Sequence, residues 1–229
     1  MTTPPARQLT ALSLVLAPAL LGAALLTDIT PQADDTRELL RLIAEKPGAW
    51  SAGQTLFFLS AMAWLPAGLA LTRLFGREGR VGRLAGAAVA VGGLAVLPVD
   101  AAGLYLRELA TSDIALDQQV SLAESVESSP TLLVFETVHV AGLFLGLLVV
   151  GVAMLRHRDL PRWAGALVLV AMVGMFAAPG RALLALAAAL LVVGLGVAAV
   201  RVGRLAEDEP SVGTRGGDTA PAKTEGRLH

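Results

Sequence analysis

The chain has 229 residues, of which 55% are hydrophobic and only 16% charged, well under the roughly 25% charged residues of soluble domains, so a water-soluble fold would lack its polar coat. A formal net charge of −1 gives no general pull toward nucleic acid, and no nucleic-acid partner is expected. With no cysteine, disulfides, thiolate nucleophiles and thiolate-ligated metal clusters are excluded.

A membrane span needs about 20 mainly apolar residues, because about 30 Å of hydrocarbon is crossed at about 1.5 Å per residue. Six runs meet or approach this: residues 8–27, 54–74, 84–105, 131–155, 163–178 and 181–202. The expected fold is an all-α, polytopic membrane helix bundle forming one domain over residues 1–202. The first run has one basic residue before it, Arg7, and small residues at Gly22-Ala23-Ala24 that mimic a signal-cleavage site. Its apolar stretch exceeds the about 7–15 residues of a signal-peptide core, so it is read as a retained span. The fifth run is short, and only Pro179-Gly180 separates it from the sixth. That pair breaks a helix and reverses the chain, so an antiparallel hairpin is expected.

Lys and Arg in the connecting segments set the orientation. One side carries Arg7, Arg73, Arg77, Arg80, Arg83, Arg156, Arg158, Arg162, Arg201 and Arg204; the other carries Arg37, Arg41, Lys46, Arg107 and Arg181. The side with ten is expected to be cytoplasmic, which places both termini inside and agrees with an even number of spans. Positive charge that is nearly all Arg, with abundant Ala, Gly and Val, has the look of a GC-rich bacterial genome, so the expected location is a bacterial plasma membrane.

Two connections on the outer side have helical character. In the first, Asp35 with Glu38 resembles a capping box, Leu39, Leu42 and Ile43 share a face, and Pro47-Gly48 is expected to end the segment. A helix lying on the membrane surface or capping the bundle is predicted there. In the second, Leu116, Val120 and Ala123 line one side of a weaker helix over residues 113–127. Trp50 and Trp163 sit where interfacial belt residues are expected, and Trp64 lies mid-span. Residues 203–229 are rich in Gly, Pro, Thr and charge, and are expected to form a disordered cytoplasmic tail.

Ionisable groups inside spans are costly and are the default functional candidates. Three occur here: Asp100, Glu136 and His139. Asp100 lies about 24 Å along an outward-running third span, and Glu136 and His139 lie about 8–12 Å below the outer end of the fourth. All three therefore share one depth in the outer half. Glu136 and His139 are spaced i, i+3, with Gly142 and Gly146 following on the His139 side, so polar groups and a close-packing stripe should face other helices together. Gln54, Arg107 and Arg181 lie near the same level and complete a candidate outward-facing polar pocket. The plainer alternative is that Asp100 pairs with Arg107 or Arg181 and that Glu136 and His139 are hydrogen-bonded glue between helices. Asp100, Glu136 and His139 also number enough ligands for a single metal ion, while a di-iron site lacks its second Glu-x-x-His and a bis-histidine haem lacks its second membrane histidine. No cofactor is expected.

Gly142-Leu-Phe-Leu-Gly146, followed by Leu155-Arg-His-Arg158-Asp-Leu-Pro161-Arg162-Trp163-Ala-Gly165, together with Leu42-Ile-Ala-Glu-Lys-Pro-Gly48, resembles a widespread family of bacterial six-span membrane proteins of unknown function. The resemblance implies six helices in the plasma membrane and supplies no catalytic residues. Three classes of function follow. The first is a non-enzymatic protein with a binding, regulatory or structural role, whose candidate partners are membrane lipids, a second copy of the chain or another membrane protein. The second is a small transporter or permease subunit, against which the lack of a repeat and of broken helices weighs. The third is an intramembrane metal-dependent enzyme.

Overall fold

The structure, a computed structural model, describes residues 4–30, 33–75, 79–177 and 180–207. Arg77, Pro179 and the tail from residue 208 lie outside them, as do the side chains of Arg7 and Arg181. The regular elements among the described residues are all helices: α1 (Pro4–Thr27), α2 (Thr36–Glu45), α3 (Pro47–Leu74), α4 (Arg80–Ala95), α5 (Leu97–Ala110), α6 (Leu116–Glu127), α7 (Pro130–His139), a π-helical segment (Val140–Leu145), α8 (Gly146–Arg156), α9 (Arg162–Ala177) and α10 (Arg181–Glu207).

Five stretches are long and apolar enough to cross a membrane: Gln8–Thr27, Pro47–Leu74, Arg80–Ala110, Pro130–Arg156 and Ala182–Arg204. The expected fifth span is a shorter apolar helix, Arg162–Met175. Successive elements pack side by side in the order α1, α3, α4, α8, α9 and α10, and α10 returns to α1 to close a ring. Ala17, Ala67, Ala70, Ala164, Ala171 and Ala198 are fully buried, while Leu12, Leu84, Val91, Leu133, Val170 and Leu186 face outward. A large apolar exterior, with alanines among the buried Leu, Met and Trp side chains, suits helices packed closely in lipid. Gly180, at φ +128°, takes the left-handed backbone that separates α9 from α10.

The helix ends differ from expectation in several places. Pro47-Gly48 opens α3 rather than ending α2, so only Lys46 separates the two and α3 starts well before residue 54. Proline suits a first helical turn, whose N–H groups have no intrahelical partner. The third stretch overruns 84–105 at both ends but is interrupted at Val96, and α10 carries its helix past residue 202 to Glu207.

One end of the ring is covered by α2 and α6, which pack on α5 and on each other. Asp35 caps α2 by accepting the Glu38 N–H at 2.7 Å, and Glu38 reaches back to the Asp34 N–H at 2.9 Å, one residue beyond the partner expected of a capping box. Ile29, Leu40, Ile43, Leu109 and Ala123 form the core of this cap. Trp50 belongs to the same core: it is only 5% exposed and donates its indole N–H to the Gly103 carbonyl at 2.8 Å. It is therefore an internal tie between α3 and α5 and not a belt residue, whereas Trp163 is exposed and Trp64 is buried.

Candidate functional site

The site begins with a proline. Pro98 carries no N–H, so the Leu94 carbonyl, four residues earlier, loses its helical donor. The Val96 N–H turns to Leu94, α4 ends at Ala95 and α5 restarts at Leu97. Gly92, whose carbonyl Val96 would serve in a continuous helix, accepts instead from His139 Nδ1 at 2.8 Å. A carbonyl oxygen only accepts, so Nδ1 carries a proton and donates it to this bond, and in the neutral ring Nε2 is an acceptor. The contact needs near-bare backbone on both sides. A Cβ on Gly142 would sit 2.8 Å from the Ala88 carbonyl oxygen and from Gly92 Cα, and a Cβ on Gly92 would run into the Leu143 nitrogen. The π-helical segment begins one residue after His139; such widened turns recur at functional positions.

Between the ring core and the cap core lies a cavity of about 410 Å³, within the range of small-molecule sites. Its walls come from α1, α3, α5, α7 and the π segment, and Leu39 of α2 and Glu127 of α6 roof it. Asp100, Glu136, His139 and Gln54, the sequence candidates, all line it. Asp100 sits in the first turn of α5, where the helix dipole favours negative charge. It is 6% exposed, and its buried Oδ2 has no hydrogen-bond partner. Gln54 lies against Gly103, beside the Trp50 bond to that residue's carbonyl.

Three expectations are corrected. Arg107 does not pair with Asp100; it bonds Glu108 at 3.0 Å and lies outside the cavity lining. Glu136 is not buried glue between helices: it lines the cavity with Asp100 and His139 while remaining exposed. Among the described residues no three His, Asp or Glu side chains are grouped to hold one metal ion, so the set Asp100, Glu136 and His139 is not assembled as ligands. Arg181 opens α10, with its side chain outside the described ones.

An aromatic wall joins the sequence candidates. Trp50, Phe57 and Trp64 line the cavity together with Gln54 and Ala61. Their numbers, 50, 54, 57, 61 and 64, step by four and three along α3, the spacing of one helix face. That stripe was the available signal. Phe144 completes the wall with its ring edge-on to His139, centroids 6.0 Å apart. At the lip, burial and then the neighbouring Glu124 push the Glu127 carboxyl above its ordinary value.

Fold and site together define an all-helical protein with five helices of membrane-crossing length and a capped, mainly apolar cavity at one end. The chain belongs to the family described as a domain of unknown function, DUF4386, whose model matches residues 9–206. No curated protein and no solved structure matches it.

Proposed function

We propose that this is a six-span protein of the bacterial plasma membrane, both termini cytoplasmic, that binds a small amphiphilic molecule in its capped cavity. The distribution of ten cationic residues on one side against five on the other supports the orientation. The apolar α9, which packs between α8 and α10 in the ring, supports the sixth span. The Leu and Val side chains on the ring exterior are the surface that lipid would contact.

One observation carries the binding reading: Asp100 places a buried carboxylate oxygen without a partner on a largely apolar cavity. Such a group costs folding free energy and gives no packing in return, and a ligand that donates to it offsets that cost. The non-enzymatic reading draws on the described lining, where the Ser60 hydroxyl and the His139 Nδ1 are both held by backbone carbonyls. Ser60 donates its hydroxyl to the Ala17 carbonyl at 2.9 Å, and His139 is committed at Nδ1 to Gly92.

A second reading, transport, draws on the break at Val96 beside Asp100 and the π segment beside His139. Interrupted helices at a midway site are the construction of many transporters, so the expected lack of broken helices no longer weighs against it.

Native mass spectrometry tests the binding reading. Protein released from bacterial membranes should carry a small molecule that the Ala61→Trp variant, with its cavity filled, lacks. The same adducts on both, with the variant folded, would contradict it. Accumulation of that molecule in proteoliposomes would favour transport.

A further inference from the structure

The described cavity lining contains three carboxylates, Asp100, Glu127 and Glu136, and neither Lys nor Arg. His139 adds an acceptor, Nε2 of its neutral form, because Nδ1 donates to the Gly92 carbonyl. The complementary ligand is therefore a cation or a rich hydrogen-bond donor. An inorganic ion is not what the geometry fits, because no three of these side chains converge as ligands among the described residues. The rest of the wall is apolar and aromatic, with Trp50, Phe57 and Trp64 along one face of α3. Aromatic faces attract organic cations, most strongly where water is excluded, and the apolar wall takes a hydrocarbon body.

From this juxtaposition we infer that the cavity is a site for a lipophilic organic cation, an amine or quaternary ammonium group carrying an apolar tail. The charged head lies at Asp100 and the tail runs along the α3 aromatic face. The inference rests on the reading of the cavity as a small-molecule site and adds its charge class.

The test uses the full-length protein in nanodiscs and three probes of matched tail: octyltrimethylammonium, its neutral carbon isostere 2,2-dimethyldecane, and octyl sulfate. Binding is read from tryptophan fluorescence, since Trp50 and Trp64 both line the cavity, with empty nanodiscs correcting for partition. The cation should bind saturably and at least tenfold more tightly than either other probe. Asp100→Asn should weaken the cation about tenfold and leave the isostere unchanged; Glu136→Gln, at the exposed edge, should weaken it less. If cation and isostere bind alike and Asp100→Asn changes neither, the charge class is wrong and the cavity remains a binding site. Saturable binding of no probe would overturn both readings. Circular dichroism of each variant checks the fold, and Glu136→Gln supplies the charge test should Asp100→Asn fail to fold.

Discussion

His139 Nδ1 donates to the Gly92 carbonyl across 2.8 Å, joining the helix that precedes the break at Val96 to the helix that ends in the π segment. One missing N–H, at Pro98, is the origin of this bond, and the bond in turn sets which imidazole nitrogen faces the cavity. Replacing His139 by Ala leaves the Gly92 carbonyl without its partner. Hydrogen bonds of this kind contribute about 1 kcal/mol in membrane bundles, so the thermal midpoint of the purified protein should fall by about 2–4 °C. An unchanged midpoint would show that the bond contributes nothing.

The approach of Gly92 to Gly142 allows that bond to form. Gly142→Ala would place a methyl group 2.8 Å from the Ala88 carbonyl oxygen and force the helices apart, at a cost of about 1–3 kcal/mol. Gly48→Ala is the matched control. Nothing lies within 4 Å of its added carbon, so this variant should be neutral or more stable by less than about 1 kcal/mol, as expected for alanine in a helix. Denaturation midpoints of the two variants should move in opposite directions or differ by at least the cost of the clash.

The cap should owe its stability to burial and not to its ion pair. Arg37 and Asp117 join α2 to α6 at 2.5 Å but are exposed, and exposed pairs contribute about 0–1 kcal/mol. Ile43 is fully buried in the cap core, and truncation to Ala should cost about 2–5 kcal/mol. Hydrogen exchange should accelerate in α2 and α6 in Ile43→Ala, with α8 to α10 unaffected, and should barely change in Asp117→Asn.

Much of the architecture is legible in the sequence because lipid imposes simple demands. Runs of Leu, Ala and Val mark the long helices, and Asp35 with Glu38 marks the start of α2. Helical spacing puts His139 and Gly142 on one face, and simple rise per residue puts Asp100 level with them. What is not legible depends on partners brought in from other elements. Trp50 has the sequence position of a belt residue, yet the Gly103 carbonyl draws its indole inward. Arg107 has Asp100 two turns away and Glu108 next to it, and side-chain direction decides for Glu108. Pro98 signals a kink, but that the freed carbonyl would be Gly92, and its new donor His139, follows only from where α4 and α7 meet. Glu136 shares a helix and a cavity with His139 and yet stays exposed.

Glu127 gives the lip of the cavity a pH dependence. Burial first, and Glu124 second, raise its carboxyl above the ordinary 4.5. The folded protein then holds a proton that the unfolded chain has released, so this group's contribution to stability declines as pH rises from about 4.5 until the folded carboxyl has ionised. Glu127→Gln removes that decline. Variant and wild type should melt together at pH 4, and the variant should melt slightly higher at pH 7. A variant that melts lower at pH 7 would contradict the sign.

The chain contains no cysteine, so a single introduced thiol reports its own surroundings. Asp100→Cys, probed in intact cells with a membrane-impermeant thiol reagent, measures directly whether the cavity opens to the outer side. The expected result is labelling from outside, with Leu191→Cys in the ring core protected. Complete protection of position 100, or labelling only after the cytoplasmic face is exposed, would contradict an outward-facing binding cavity.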